Sequence, residues 1–269
     1  MGAPLLALTV AAADRSFFEW VAYLFARYGS MFLSGAEVTL LISLSGTIVG
    51  FAIGLLIGVV RTVPRRPEAS WPAKALRKVV DVLLMVYIEV FRGTPMIVQA
   101  MVIFYGTAQA FGVRIPYLLA GFAIVSINTG AYMAEIVRGG ILSIDKGQFE
   151  AAHSIGMTHG QTMMNVVLPQ AIRNILPALG NEFVINIKDT SVLNVISVSE
   201  LFFETKSVAG TSYKTFETFF IASVMYLVMT FTVTRILRLI ERKMEGKSTY
   251  TIHGSQTTPE SEIRIRGGV

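Results

Sequence analysis

The chain has 269 residues, of which 53% are hydrophobic and only 15% carry a charge. Soluble domains carry charge on about a quarter of their residues, so this composition excludes an ordinary soluble globular protein and favours lipid as the solvent. The sequence contains no cysteine, and its three histidines show no metal-ligand spacing, so neither a disulfide framework nor a metal site is predicted. The net charge of +5 would be compatible with a nucleic-acid-binding protein. However, the basic residues lie beside apolar runs, where they orient a membrane protein. We therefore expect membrane lipid, and no nucleic acid, as a partner.

Residues 1–30 precede the first apolar run that is long enough to cross a membrane. Residues 1–13 are small and apolar but lack the positive start of a secretory signal, and residues 14–28 are polar and aromatic. We expect residues 1–30 to form a flexible or interfacial segment. A cleaved signal peptide is the alternative.

A membrane-spanning helix needs roughly 20 apolar residues. Five segments approach this requirement: residues 38–60, 95–111, 117–137, 171–187 and 216–240. Residues 79–91 mix Asp81 and Glu89 with an apolar stripe, which predicts an amphipathic helix at the interface rather than a span. No alternating β pattern is sustained, so the predicted fold class is an all-α integral membrane protein with about five transmembrane helices in residues 31–245.

Glycines recur every four residues in the first predicted span, at Gly46, Gly50, Gly54 and Gly58. This spacing places them on one face, where another helix can approach closely. The alternative is the general enrichment of glycine in membrane helices. Because five spans with an exposed glycine face would enclose a channel poorly, dimerisation is expected.

Charge sets the predicted orientation. The loop 61–78 is rich in Lys and Arg and holds one acid, Glu68, so the positive-inside rule places it in the cytoplasm. With five spans, the N-terminus then faces outside and the C-terminus lies in the cytoplasm. Residues 246–269 are polar without apolar periodicity, which predicts a disordered cytoplasmic tail.

The cytoplasmic region between the third and fourth spans, residues 139–169, carries a spaced motif. Its members are Glu150, Ala151, Ala152, Gly156, Val166, Leu168 and Pro169. The pattern resembles the EAA loop of ATP-binding-cassette (ABC) importer permeases, with Val166 where isoleucine is commoner. Small side chains at Ala151 and Ala152 would let a partner approach, Gly156 would permit a turn between two short helices, and Glu150 would anchor the helix start through the macrodipole. The resemblance implies that this loop is a coupling-helix pair that docks on an ATPase.

Three further stretches, residues 91–95, 134–140 and 186–191, are similar to permeases of the polar amino acid uptake family. The resemblance implies a type I importer permease fold in a bacterial cytoplasmic (inner) membrane, multi-pass, that translocates a polar amino acid. It also implies three kinds of partner: an ABC ATPase dimer, a second permease chain that is identical or related, and an extracytoplasmic solute-binding protein. The chain has no G-x-x-x-x-G-K-[ST] phosphate loop, so ATP is expected on the partner, and no catalytic residue or cofactor is assigned here.

Charged and polar residues near the span ends leave alternatives open. Lys188 and Asp189, with Thr190 and Ser191 as hydrogen-bond partners, would suit a zwitterionic amino acid in the translocation pathway, or else mark the outer interface. In the run Arg92-Gly93-Thr94-Pro95, Thr94 would cap a helix that begins at Pro95 and Arg92 would reach lipid headgroups, with substrate contact as the alternative.

Glu135 and Arg138 are three residues apart and are predicted to pair along one helical face, as a structural ion pair or as a gate.

Other functions are weighed against the importer permease. The substrate class follows only from resemblance, so a permease for another small solute stays open. A stand-alone channel or secondary transporter would need midplane coupling residues and often shows an internal repeat, which is not visible. A membrane enzyme would need a convergent His, Asp or Ser set, and none is visible either.

Overall fold

The computed structural model describes residues 15–63, 68 and 70–244. Its α-helices are α1 Phe17–Thr62, α2 Trp71–Gly93, α3 Met96–Phe111, α4 Tyr117–Leu142, α5 Lys146–Ser154, α6 His159–Thr162, α7 Leu168–Asp189, α8 Leu201–Ser212 and α9 Thr215–Met244. A π-helical turn, Met163–Val167, precedes α7, and a 3₁₀ segment, Thr190–Ile196, follows it. The described residues contain no strand, which confirms the all-α fold class. The tail predicted for residues 246–269 lies outside the described residues, as do residues 1–14 of the predicted N-terminal segment.

Helix α1 is longer than predicted at its N-terminal end. It has 46 residues, about 69 Å at 1.5 Å per residue, and it begins at a capping box that our sequence analysis overlooked. The Ser16 hydroxyl accepts a hydrogen bond from the Glu19 amide, and the Ser16 amide donates to the Glu19 carboxylate at 2.7 Å. The structure therefore joins residues 17–30 to the first predicted span instead of leaving them as a separate segment.

The glycine face of α1 packs against α4. The pairs in contact are Gly46 with Val125, Gly50 with Thr129, Gly54 with Met133, and Gly58 with Val137. A Cβ atom placed on Gly54 would lie 2.3 Å from the Cβ of Met133, so only glycine permits this spacing between the helices. The close approach that the spacing predicts thus occurs within one chain. The expectation that this face is exposed, and the argument for dimerisation that rested on it, are wrong because α4 covers it.

Helices α2 and α3 together follow the length of α4. The Tyr87 hydroxyl, in α2, donates to the Ile127 carbonyl near the middle of α4 at 2.6 Å. Beyond the break, Ala100 of α3 lies in one buried cluster with Ala120 and Ile124 of α4. Residues 79–91 therefore run alongside α4 rather than across its end, and α2 and α3 form one broken crossing. This differs from the interfacial helix and separate span at 95–111 that the sequence predicts.

Side-chain amides close the break between α2 and α3. The Gln99 side-chain nitrogen donates to the carbonyls of Phe91 and Thr94, both at 2.9 Å, and the Asn128 side chain donates to Gln99 at 2.9 Å. The expectation that Thr94 caps the next helix is wrong, because its hydroxyl donates back to the Val90 carbonyl. Helix α3 begins after Pro95 without a side-chain cap.

The segment after α7 folds back over α1. Glu200 is fully buried and caps α8, accepting hydrogen bonds from the amides of Phe202 and Phe203 at 2.8 Å and from the Tyr226 hydroxyl of α9. The Leu201 amide donates to the Thr39 hydroxyl of α1 at 3.2 Å. These contacts tie α8 to both the first and the last long helix.

Within the described residues, three helices are long and apolar enough to cross a membrane by length and composition: α1, α4 and α9. Helix α3 is apolar but has only 16 residues, about 24 Å. Helix α7, which contains the predicted span 171–187, has 22 residues and carries charged side chains such as Glu182 and Lys188. The predicted spans thus lie on helices. Helix α3 is too short, and α7 too polar, to be recognised as a span by itself.

Candidate coupling loop and polar pathway

The loop with the EAA-like pattern folds as two short helices joined by a tight turn. Asp145 caps α5 by accepting a hydrogen bond from the Gly147 amide at 2.6 Å. The helix ends at Ser154, and Gly156, two residues on, has a left-handed φ of 82°. The Met157 amide donates to the Ala152 carbonyl and the Gly156 amide to the His153 carbonyl, which is a Schellman motif.

The chain leaves this turn through a second capped helix. Thr158 and Gln161 form a capping box at the start of α6. The π-helical turn then leads into α7, where Leu168 and Pro169 occupy the first turn. Glu150 lies in the interior of α5 and is exposed, so the expectation that it anchors the helix start is wrong; Asp145 has that role.

One side of the loop is fixed to the ends of the long helices. Ala152 is 4% exposed, and Phe149 and Leu168 pack against a buried inner cluster. That cluster consists of Val137, Ile141, Ile144, Met163, Val167, Ala171 and Ile175. Residues of α4, the loop and α7 therefore share one buried cluster.

The other side of the loop is open and partly apolar. Ala151 of α5 and Ile155, which follows the helix as its C-cap, are four residues apart and lie on the same side, and Ile155 is 79% exposed. Met164, in the π-helical turn, is 67% exposed. Gly156 and Pro169 are exposed as well. An exposed apolar surface on a firmly packed base has the character of a docking site for another protein.

Ion pairs join the helix ends beside this loop. The Arg138 guanidinium contacts the Glu135 carboxylate at 2.9 Å, so the predicted pair is present. Arg61, at the end of α1, also pairs with Glu135. Arg77 of α2 donates to the carbonyls of Val60 and Val63. The ends of α1, α2 and α4 are therefore held together by charge as well as by packing.

The four residues proposed to line the pathway differ in their exposure. Lys188 and Asp189 are exposed at the end of α7, whereas Thr190 is buried and its hydroxyl donates to the Ile187 carbonyl. Ser191 is half-buried, and its carbonyl accepts from the Asn194 side chain at 2.7 Å. The Thr190 hydroxyl is therefore engaged within the helix end.

Lys188 opens onto a cavity of about 270 Å³ between α7 and α9. Its lining consists of Val184, Lys188, Leu227, Thr230, Phe231, Thr234, Arg235 and Arg238. Thr230 lies at the middle of α9, so Lys188 is level with the middle of a long apolar helix rather than with its end. A cation at that depth is costly in lipid and normally faces a polar pathway or a partner.

A comparison with known protein families decides the class of this chain. The family described as binding-protein-dependent transport system inner membrane component matches residues 67–246. The chain belongs to this family of permeases. The resemblance read from the EAA-like loop is thereby confirmed.

Individual relatives agree with the family. The permease is 39% identical over 216 residues to the glutamine transport system permease protein GlnP of Escherichia coli (strain K12), covering 80% of this chain and 93% of that protein. It is 33% identical to the arginine transport system permease protein ArtQ of Bacillus subtilis (strain 168), covering 80% and 92%.

Solved structures share the architecture. An amino acid ABC transporter with histidines matches with a TM-score of 0.71 and 38% identity, over 86% of this chain and 99% of that chain. The MetNI methionine ABC transporter in an inward-facing conformation matches with a TM-score of 0.64, over 79% of this chain and 95% of that chain. At 22% identity the second likeness shows the fold alone.

Sequence reasoning missed the buried polar contacts of the permease. The Asn186 side chain of α7 donates to the Thr47 hydroxyl of α1 at 2.8 Å and to the Thr129 hydroxyl of α4 at 3.0 Å. The glycine repeat pairs Gly50 of α1 with Thr129 of α4. This pairing would have placed Thr47 at about the same height as Thr129. Among the residues that the structure describes, no three His, Cys, Asp or Glu side chains come together as a metal site.

Proposed function

We propose that this permease translocates a polar amino acid into the cytoplasm, driven by a separate ABC ATPase dimer and supplied by an extracytoplasmic solute-binding protein. The observation that carries the proposal is the loop 139–169, which offers an open apolar face while its other side is packed into the inner cluster. The likeness to glutamine and arginine permeases supports the substrate class. A second permease chain, identical or related, completes the pathway.

The roles within the loop follow from its geometry. Ala151 contacts the ATPase. Glu150 and the exposed Gly156 lie on the same short helix and turn and belong to this contact surface. Ala152, Leu168 and Pro169 carry the resulting movement into α7 through the inner cluster. ATP binds to the ATPase, since this chain lacks a phosphate loop.

The proposed orientation follows the charge pattern, with the loop and the C-terminus in the cytoplasm and the N-terminus outside. Lys188 and Asp189 face the solute on its way between permease chains. The cavity at Lys188 supports this role, because its walls combine cations, hydroxyl groups and apolar surface.

The experiment compares two glycines of the loop. The left-handed backbone of Gly156 costs an L-residue roughly 1–2 kcal/mol, so Gly156→Ala should distort the turn. Gly160→Ala is the matched control, because Gly160 lies in α6 and an added Cβ would meet no atom within 4 Å. We expect Gly156→Ala to weaken copurification of the ATPase and to lower amino-acid-stimulated ATP hydrolysis in liposomes, and Gly160→Ala to preserve both. Equal behaviour of the two variants contradicts docking at this turn.

The same liposomes test the substrate. ATP hydrolysis is measured with the binding protein and a panel of polar amino acids. Stimulation by one of them supports the assignment, whereas stimulation only by another small solute replaces it.

A further inference from the structure

One side of α4 remains uncovered by the other described helices. Helix α1 covers the side of Val125 and Val137, the α2–α3 pair meets Ile127 and Asn128, and α7 meets Gly140. The remaining part of α4 shows Tyr132 and Gly139, both exposed, with Arg138 half-buried beside them. Glu135, next to them, is paired with Arg61 of α1 and with Arg138.

The exposed residues of this side are Tyr132, midway along the helix, and Gly139 and Leu142 near its end, with Arg138 half-buried between them. This side differs from the exposed sides of α3 and α9, which present residues such as Met101, Val102 and Val228. Lipid-facing surfaces are apolar, whereas ionisable residues inside a membrane face water-filled cavities or partners. The uncovered side of α4 therefore has the composition of a pathway wall.

Arg92 is the cation on this wall. Its guanidinium carbon lies 5.6 Å from the centre of the Tyr132 ring, and its side chain is exposed. Tyr132 is ten residues from the end of α4 at Leu142, about 15 Å along the helix. Arg92 is thus held near the middle of α4, too deep for the lipid headgroups that our sequence analysis assigned to it. Among the described residues, no carboxylate forms an ion pair with it.

The break between α2 and α3 fixes this position. Asn128 of α4 donates to the Phe91 carbonyl at 3.2 Å, and Gln99 donates to the same carbonyl at 2.9 Å. The backbone next to Arg92 is therefore held by one side-chain amide of α4 and one of α3, and the guanidinium is presented from a fixed point.

We propose that Arg92 binds the α-carboxylate of the transported amino acid at the middle of the pathway. The planar guanidinium pairs with a carboxylate through two parallel hydrogen bonds, and the Tyr132 ring holds it in place. Because every α-amino acid has this carboxylate, Arg92 recognises the class of solute and not its side chain. The proposal rests on the proposed function as an amino acid importer.

The absence of cysteine from the chain permits a direct test. Gly93→Cys places a thiol beside Arg92, where an added Cβ meets no atom within 4 Å. Val102→Cys, on the apolar side of α3, is the lipid-facing control, since Val102 is 65% exposed. Both variants are reconstituted in liposomes as the full complex with ATPase and binding protein, and they are treated with a water-soluble, membrane-impermeant thiol reagent. We expect labelling of Gly93→Cys and not of Val102→Cys.

The ligand test uses glutamine and glutamine whose α-carboxylate is replaced by an amide. Glutamine should slow the labelling of Gly93→Cys, and the α-amide should not. Adding Arg92→Gln should raise the glutamine concentration for half-protection about tenfold or more, the ratio that corresponds to a charge-assisted hydrogen bond. Arg92→Lys should raise it less. Arg114→Gln, which removes a charge from the exposed loop before α4, should leave it unchanged.

The outcomes separate the two proposals. If the unsubstituted complex transports no amino acid, the proposed function fails and this inference fails with it. If the complex transports glutamine but labelling of Gly93→Cys matches that of Val102→Cys, this side of α4 faces lipid or protein and Arg92 does not line the pathway. If protection by glutamine survives Arg92→Gln, or the α-amide protects equally well, carboxylate recognition by Arg92 is wrong.

Discussion

Gly54 is the position where α1 and α4 come closest, and it gives the first prediction. Gly54→Ala forces a methyl group to within 2.3 Å of the Met133 Cβ, and overpacking of this kind costs about 1–3 kcal/mol of unfolding free energy. We expect a lower thermal unfolding midpoint in detergent and a smaller folded fraction.

Gly29→Ala is the control on the same helix. An added Cβ at Gly29 meets no atom within 4 Å, and alanine is favoured over glycine in a helix interior by roughly 0.5–1 kcal/mol. This variant should unfold at the same or a higher temperature. A fall as large as that of Gly54→Ala would mean that helix flexibility, and not the contact with Met133, explains the effect.

Residue spacing in the sequence was sufficient to predict some of these positions. The four-residue glycine repeat predicts a close helix contact, and the Glu135–Arg138 spacing predicts an ion pair, because both depend only on helical periodicity. Which helix covers the glycines depends on the tertiary fold, and so does the pairing of Arg61 with Glu135. The role given to Glu150 was wrong because Asp145, five residues earlier, is the better capping residue.

At the level of whole elements, the broken crossing depends on Gln99. Gln99→Leu removes a donor to the carbonyls of Phe91 and Thr94 and the acceptor of the buried Asn128 amide. A buried polar group that loses its partner costs about 1–3 kcal/mol. We expect a lower unfolding midpoint together with faster amide hydrogen exchange confined to residues 87–100.

Gln109→Leu is the matched substitution in the same helix, where the side chain is exposed. It should change neither the midpoint nor the exchange pattern. If hydrogen exchange increases uniformly across the chain in Gln99→Leu, the amide supports the whole fold and not the break.

Helices α1 and α2 show why sequence patterns predicted only part of the fold. The start of α1 was visible in principle, since Ser16 and Glu19 have the spacing of a capping box. The path of α2 was not, because its amphipathic stripe is equally compatible with a membrane surface and with packing along α4. A tertiary contact, Tyr87 to Ile127, distinguishes the two.

For the molecule as a whole, Asn186 joins three long helices, α1, α4 and α7. Its side chain bonds Thr47 and Thr129, so Asn186→Ala leaves hydroxyl groups on α1 and α4 without their shared partner. We expect a loss of about 1–3 kcal/mol in unfolding free energy, seen as a lower unfolding midpoint. Asn181→Ala removes an exposed amide from the same helix and should have little effect. Equal losses would show that the polar contact between helices is not the cause.

The orientation of the whole chain is the last prediction, and the cysteine-free sequence makes it measurable. Arg114 lies between α3 and α4, and His153 lies in the coupling loop; both are exposed. If α4 crosses the membrane once, these positions face opposite sides, and the positive-inside rule places His153 in the cytoplasm. In intact cells an impermeant thiol reagent should label Arg114→Cys and spare His153→Cys until the membrane is permeabilised. Labelling of His153→Cys alone would invert the orientation and place the loop where no ATPase can reach it, so the proposed coupling would fail with it.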